Sequence, residues 1–161
     1  MIARWLAVNV LTVLLLITWS LLYQGFDSYT ILTGKVFAHI AFVLFLVNIN
    51  MYFVFLFIRK SKVRAVKVKF AKLSRKMMKY HVAIAVTATI LIIVHAFIII
   101  KIHVDDLLKL KTMSGFLAAS MLVILLFSGL LRRKKATGIR RKFHYTMAFI
   151  FLGFVLLHIL L

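Results

Sequence analysis

Long apolar stretches alternate with short basic segments along the 161 residues of the chain. A helix needs about 20 apolar residues to cross the hydrocarbon core of a bilayer. Five stretches reach about that length and are called spans 1 to 5: residues 5–23, 36–58, 80–100, 113–131 and 143–161. They lack the period-two alternation of membrane strands. The pattern therefore predicts an all-α integral membrane bundle of five transmembrane helices, in a single domain of residues 1–161.

A shorter pattern occupies residues 61–79, between spans 2 and 3. Apolar residues recur there at intervals of three and four among lysines and arginines: Val63, Val66, Phe70, Leu73 and Met77. This spacing predicts an amphipathic helix that lies on the cytoplasmic leaflet and leads into span 3. Lipid anchoring is its simplest role, and a docking surface for an acidic electron donor is the alternative.

Basic residues are unevenly divided among the connecting segments. Ten lie in residues 59–79 and seven in residues 132–142, whereas the other two connections hold Lys35, Lys101, Lys109 and Lys111 together with all three aspartates. Cytoplasmic loops carry the excess of lysine and arginine. With Arg4 also inside, the N-terminus is predicted to be cytoplasmic and the C-terminus outside, so spans 3 and 5 run parallel.

The amino-acid composition limits the kinds of metal site and partner that the chain can have. The chain is 65% hydrophobic with a mean hydropathy of +1.08, and it has no cysteine, which excludes disulfides and thiolate metal sites. The net charge of +19 would suggest nucleic-acid binding in a soluble protein. Here the charge lies in loops beside membrane lipid, so no nucleic-acid partner is expected. Any metal chemistry has to use histidine.

Four of the six histidines form two pairs with identical spacing, His81 with His95 and His144 with His158. Fourteen residues of helix rise about 21 Å and return to within about 40° of the starting direction, so each pair shares one helix face near opposite leaflets. Because spans 3 and 5 are parallel, His81 is predicted to meet His144 at the inner level. His95 then meets His158 at the outer level.

The two histidine pairs also share a longer sequence pattern, Lys-aromatic-His-x3-Ala-x9-His. The two histidines of this pattern are the two members of one pair. Its two copies begin at Lys79 and Lys142 and place alanines at Ala85 and Ala148. A small residue four positions after a ligand gives a macrocycle room to approach the helix. Midway between the ligands stand Ala88 and Phe151, and Phe151 is a candidate to fill the gap between two stacked cofactors.

This arrangement favours axial ligation of two haems b by His81, His144, His95 and His158. Two alternatives remain open: buried histidines that only hydrogen-bond neighbouring helices, and a proton, zinc or other cation pathway. A cation pathway usually recruits carboxylates within the membrane, and none of the five spans contains Asp or Glu.

Two parallel helices that each carry His-x13-His resemble the bis-histidine diheme core of the ferric reductase-like transmembrane domain, found in ferric reductases and NADPH oxidases, and of respiratory cytochromes b. The resemblance covers spans 3 to 5 and implies that these four histidines are axial haem ligands. Members of the ferric reductase and NADPH oxidase group usually add a sixth helix and a flavin- and NADPH-binding domain. This chain ends three residues after His158 and has no G-x-G-x-x-G motif.

The expected function is electron transfer from a cytoplasmic donor to an outer acceptor, in the manner of a ferric reductase or an oxygen-reducing cytochrome. The chain is then an oxidoreductase or the electron-transfer subunit of one, in a plasma (inner) membrane of a prokaryote. Its donor is a flavoprotein, a quinol or a partner subunit, and a homo- or hetero-oligomer is compatible with the sequence. The alternatives are a quinone-linked cytochrome b subunit of a larger redox complex and a haem-free membrane transporter or scaffold.

The two other histidines carry a weaker pattern. His39 near the outer end of span 2 and His103 beside Asp105 and Asp106 are candidates, with Asp27, for an acceptor or metal site near the outer haem, although solvated loop residues are the simpler interpretation. Basic residues near the two haem levels are candidate partners for haem propionates or for lipid phosphates. These residues are Lys101, Lys109 and Lys111 outside, and Lys79, Arg141 and Lys142 inside.

Overall fold

The computed structural model describes residues 2–23, 25 and 28–161, without the side chains of residues 2–4 and 6. The described residues form five α-helices and one 3-10 turn, Val104–Asp106, and include no strand. The α-helices are α1 (Ile2–Leu22), α2 (Tyr29–Lys60), α3 (Arg64–Ile102), α4 (Leu110–Lys134) and α5 (Gly138–Leu160). The prediction of an all-α fold is confirmed.

Helix ends are set by short polar connections. The Ser28 hydroxyl accepts a hydrogen bond from the Ile31 amide, 3.3 Å, at the start of α2, and Thr137 accepts one from the Arg140 amide, also 3.3 Å, at the start of α5. Such caps satisfy backbone donors that the first helical turn leaves unpaired. The three-residue connections 61–63 and 135–137 then turn the chain back, so that α2–α3 and α4–α5 are antiparallel hairpins.

Two compact units divide the chain, Met1–Ile102 with α1 to α3 and His103–Leu161 with α4 and α5. In the first unit the core follows α2, where Val54 is fully buried. The ring of Phe57 on α2 stacks on Phe70 of α3 at 5.3 Å between centroids. Helix α1 joins α2 through the Asn50 amide, which donates to the Asn9 side-chain oxygen at 2.7 Å. That the chain forms a single domain stays a prediction.

The second unit is a hairpin with small residues on the contact face of α4. The buried residues of α4 are Ser114, Ala118, Leu125 and Ser128. At the turn, the Arg140 guanidinium donates to the Leu131 carbonyl at 2.9 Å and so satisfies one of the last carbonyls of α4. Small side chains let the two helix backbones approach closely.

Four helices of the described chain, α2 to α5, are long and apolar enough to cross a membrane. The described apolar part of α1 is Ala7–Leu22, which is shorter than these four. Helices α2 to α4 contain spans 2 to 4 entirely and extend beyond them, while α5 contains nearly all of span 5. The crossing of the membrane by five helices and the orientation of these helices stay predictions. The side chain of Arg4, which was used to predict the orientation, lies outside the described residues.

The amphipathic segment leads into span 3 as the first part of one continuous helix, α3, which begins at Arg64. Residues 64–102 contain neither glycine nor proline, so nothing in them ends the helical hydrogen-bond ladder. Within the segment Phe70 packs on Phe57 of α2 and is 4% exposed, whereas Val63 and Leu73 are exposed. The position of this segment on the cytoplasmic leaflet stays a prediction.

Candidate haem-ligand histidines

The four candidate ligands lie on two helices, one in each unit. His81 and His95 are on α3, and His144 and His158 are on α5, and all four are half-buried. Within each helix the 14-residue spacing gives about 21 Å of rise and about 40° of rotation, as the sequence indicates. The pairing of His81 with His144 and of His95 with His158 joins the two units and stays a prediction.

The ring of His158 is held by the start of α4. Its Nδ1 atom lies 3.0 Å from the Ser114 hydroxyl and 3.1 Å from the Lys111 carbonyl oxygen. The Ser114 hydroxyl donates its own proton to the same Lys111 carbonyl at 2.6 Å. Because a carbonyl oxygen only accepts, Nδ1 has to carry the hydrogen and donate it.

The ring of His144 is held in the same way near the end of α4. Its Nδ1 atom lies 2.8 Å from the Ser128 hydroxyl, which donates to the Leu125 carbonyl at 2.6 Å. Ser128 is fully buried. Since the serine proton is committed to the carbonyl, the serine oxygen accepts from Nδ1–H of His144.

A glycine follows each of these serines and makes room for the imidazole. A Cβ atom on Gly115 would lie 3.0 Å from Cε1 of His158, and one on Gly129 would lie 3.5 Å from Cε1 of His144. The first distance is tighter than most carbon contacts, so the ring would have to move by a few tenths of an ångström, whereas the second is ordinary van der Waals contact. The Ser-Gly pair therefore occurs twice on α4, 14 residues apart, and faces the two histidines of α5, which have the same spacing.

Helix α2 supports the histidines of α3 by its backbone and one amide. Nδ1 of His95 lies 2.9 Å from the Gly34 carbonyl oxygen, so it also donates. Fourteen residues later, the Asn48 amide donates to the backbone carbonyl of His81 at 3.1 Å. Each hairpin thus places polar groups on its first helix at the two levels where its second helix carries histidine.

These contacts determine which ring nitrogen carries the hydrogen and which carries the lone pair. A neutral imidazole has one N–H and one nitrogen with a lone pair. In His95, His144 and His158 the N–H is on Nδ1, which leaves the lone pair on Nε2. Histidines that bind metals commonly donate their other ring N–H to a carbonyl or another acceptor in this way. The donor set, imidazole without thiolate or carboxylate, fits a haem iron held by two histidines.

The supporting residues were not identified from the sequence. They are Gly34, Asn48, Ser114, Gly115, Ser128 and Gly129. A detectable signal was present, since Ser-Gly recurs in span 4 at the same 14-residue interval as the histidines of span 5. Small residues are common in membrane helices, and this explains why the pair attracts no notice alone.

The remaining sequence candidates are dispersed. His39 is half-buried on α2 in the first unit, and His103 precedes the 3-10 turn in the second. Asp27, proposed with them, lies outside the described residues. Lys109 pairs with Asp106 at 2.8 Å. Across the described part of the chain, no group of three or more His, Cys, Asp or Glu is suited to hold a metal ion.

The roles predicted for the other candidate residues stay predictions. Phe151 is 6% exposed, and Ala85, Ala88 and Ala148 are half-buried. The candidate propionate partners Lys79, Lys101, Lys109, Arg141 and Lys142 are exposed, and Lys111 is half-buried. Comparison of the chain with known protein families, curated proteins and solved structures finds no match.

Proposed function

We propose that this protein is an integral membrane cytochrome b that carries electrons across a bilayer through two haems. His81 and His144 hold the inner haem, and His95 and His158 hold the outer one. The observation that carries the proposal is the state of the imidazoles: three of these four, on helices that present them at a repeated 14-residue interval, donate from Nδ1 to a carbonyl or hydroxyl. In that state the lone pair lies on Nε2, the atom that would bind the haem iron.

The membrane part of the proposal is supported by the outer faces of the helices. Large apolar side chains of α3 and α4 are strongly exposed, among them Ile93 at 62%, Phe97 at 69% and Val123 at 66%. Exposed apolar area on this scale is unstable in water and normal in lipid. We propose that all five helices cross the bilayer.

Orientation follows from the basic residues. All ten lysines and arginines of residues 59–79 are exposed, and they mark the cytoplasmic side. A prokaryotic plasma (inner) membrane is the proposed location. Electrons then enter at the level of His81 and His144 from a cytoplasmic donor, and leave to an acceptor at the level of His95 and His158.

The residues of the chain have three tasks in this function. Nε2 of each histidine would supply a lone pair to the haem iron, the polar groups of α2 and α4 hold the rings in orientation, and the apolar helix faces exclude water. Bound haem supplies the one-electron chemistry. With two histidines holding each haem, an acceptor such as ferric iron or dioxygen would receive its electron without binding to the haem iron.

Single histidine substitutions test the assignment. In the purified protein, each of the four changes His81→Ala, His144→Ala, His95→Ala and His158→Ala is expected to remove one haem and leave the other. The two members of a pair should give the same residual spectrum. His39→Ala and His103→Ala are matched controls that should retain both haems. If the four variants bind as much haem as the parent protein, the assigned ligands are wrong.

A further inference from the structure

Two serines of α4 have an unusual combination of contacts. Ser128 is fully buried and Ser114 is 6% exposed, so neither hydroxyl exchanges its partners freely with water. Each hydroxyl proton is given to the carbonyl three residues earlier, Leu125 or Lys111, at 2.6 Å. The remaining capacity of each oxygen is to accept, and in both cases the donor is Nδ1–H of a candidate haem ligand.

A hydroxyl that donates to a carbonyl is also a better acceptor, because hydrogen bonds in a chain polarise one another. The Nδ1–H of the histidine therefore bonds to a strengthened acceptor inside a low-dielectric environment. Such a bond moves electron density into the imidazole ring and makes Nε2 a more basic ligand. A more basic ligand stabilises ferric iron more than ferrous iron, because the ferric ion carries the larger positive charge.

We propose that Ser128 and Ser114 are positioning residues that lower the reduction potentials of the two haems through His144 and His158. This inference rests on the proposed function, since it assumes that these histidines bind haem. Reduction adds one electron to the ferric iron, while the proton stays on Nδ1 and no bond to the serine breaks. The serines therefore change the equilibrium between the two oxidation states without entering the reaction.

The two sites should differ in sensitivity. The Nδ1 atom of His158 lies 3.1 Å from the Lys111 carbonyl as well as 3.0 Å from Ser114. When Ser114 loses its hydroxyl, that carbonyl is already in place to accept. Ser114→Ala is therefore expected to produce the smaller shift of the two.

The experiment is a redox titration of the purified haem protein, followed optically and by electron paramagnetic resonance. Ser128→Ala should raise the potential of one haem while both haems remain bound. Loss of one hydrogen bond of ordinary strength corresponds to a change of about tenfold in the ferric-to-ferrous equilibrium, or about 59 mV for one electron. Ser128→Cys keeps a weak acceptor at the same position and should give an intermediate shift.

Ser120→Ala is the matched control. Ser120 lies on the same helix and is exposed, and its hydroxyl donates to the Phe116 carbonyl of α4. This variant should leave both potentials unchanged. Comparison of Ser128→Ala with Ser120→Ala thus distinguishes loss of the contact with histidine from a general effect of a serine-to-alanine change on α4.

The outcomes distinguish an error in the role of the serines from an error in the assignment of the haems. If Ser128→Ala retains two haems at their original potentials, the role of the serine is wrong and the haem assignment stands. If Ser128→Ala loses a haem, the potential of Ser128→Cys decides: an upward shift supports the role, and an unchanged potential overturns it. Absence of haem from the parent protein overturns the proposed function itself.

Discussion

At the scale of single residues, the positions of the two imidazole rings of α5 depend on neighbouring glycines, which have no side chain, as much as on hydrogen bonds. Ser114 and Ser128 supply acceptors to His158 and His144, and the following glycines leave space for the rings. The two glycines are not equivalent, because the space beside Gly115 is tighter than that beside Gly129. Their substitution therefore gives a graded test.

Gly115→Ala is expected to displace the ring of His158, because the added Cβ would lie 3.0 Å from Cε1. The outer haem should be lost or bound more weakly, as measured by the haem content of the purified variant. Gly129→Ala, with 3.5 Å to His144, should retain most of the inner haem. Gly153→Ala is the control, because nothing lies within 4 Å of its added Cβ. Equal haem content in Gly115→Ala and Gly153→Ala would contradict the close contact at His158.

The sequence singles out the four histidines as candidates because imidazole is rare within membrane segments and their interval repeats, and their role as ligands stays a prediction. The serines and glycines could not be singled out in this way, because their role depends on which face of α4 meets α5. That face is decided by side-chain packing between helices, and hydropathy alone does not reveal it. Gly34 is a further case, since its contribution to His95 is a backbone carbonyl that any residue possesses.

At the scale of helices, hydropathy located α2 to α5 but not their ends. Hydropathy marks the part of a helix that suits lipid, whereas a helix ends where caps and turns interrupt its backbone hydrogen bonds. Helix α3 illustrates the difference: it begins at Arg64, 16 residues before span 3, because the basic segment contains no glycine or proline to interrupt the helix. The packing of Phe70 on Phe57 fixes this extension against α2.

Phe70→Ala should destabilise the first unit, because the ring is 4% exposed and stacks on Phe57. Removal of a buried phenylalanine ring costs about 3 kcal/mol. The expected result is a lower Tm of the detergent-solubilised protein, followed by circular dichroism. Leu73→Ala, on the same segment but 41% exposed, should change stability by less than about 0.5 kcal/mol. Equal Tm values for the two variants would contradict the packing of this segment.

At the scale of the whole molecule, the two hairpins follow one plan. Each has its histidines on the second helix and polar or small groups at the matching levels of the first. In the proposed orientation both second helices run outward, so the candidate ligands of α3 and α5 would lie at the same two depths. The central claim therefore depends on topology as well as on the histidines.

Topology is testable with single cysteines, because the chain has no cysteine of its own. Lys67→Cys, on the exposed basic part of α3, should react with a membrane-impermeant maleimide only after the cytoplasmic side is opened. Leu108→Cys, at a side chain that is 88% exposed, should react in intact cells. Labelling of both positions from the same side would contradict the proposed orientation.

The content of haem in the purified protein tests the account most directly. The dithionite-reduced minus oxidised spectrum should show a b-type α-band, and quantification against protein should give two haems b for each chain. The proposed assignment of four histidines to two haems requires this ratio. A protein that folds and purifies without haem, or with one haem for each chain, would contradict the account.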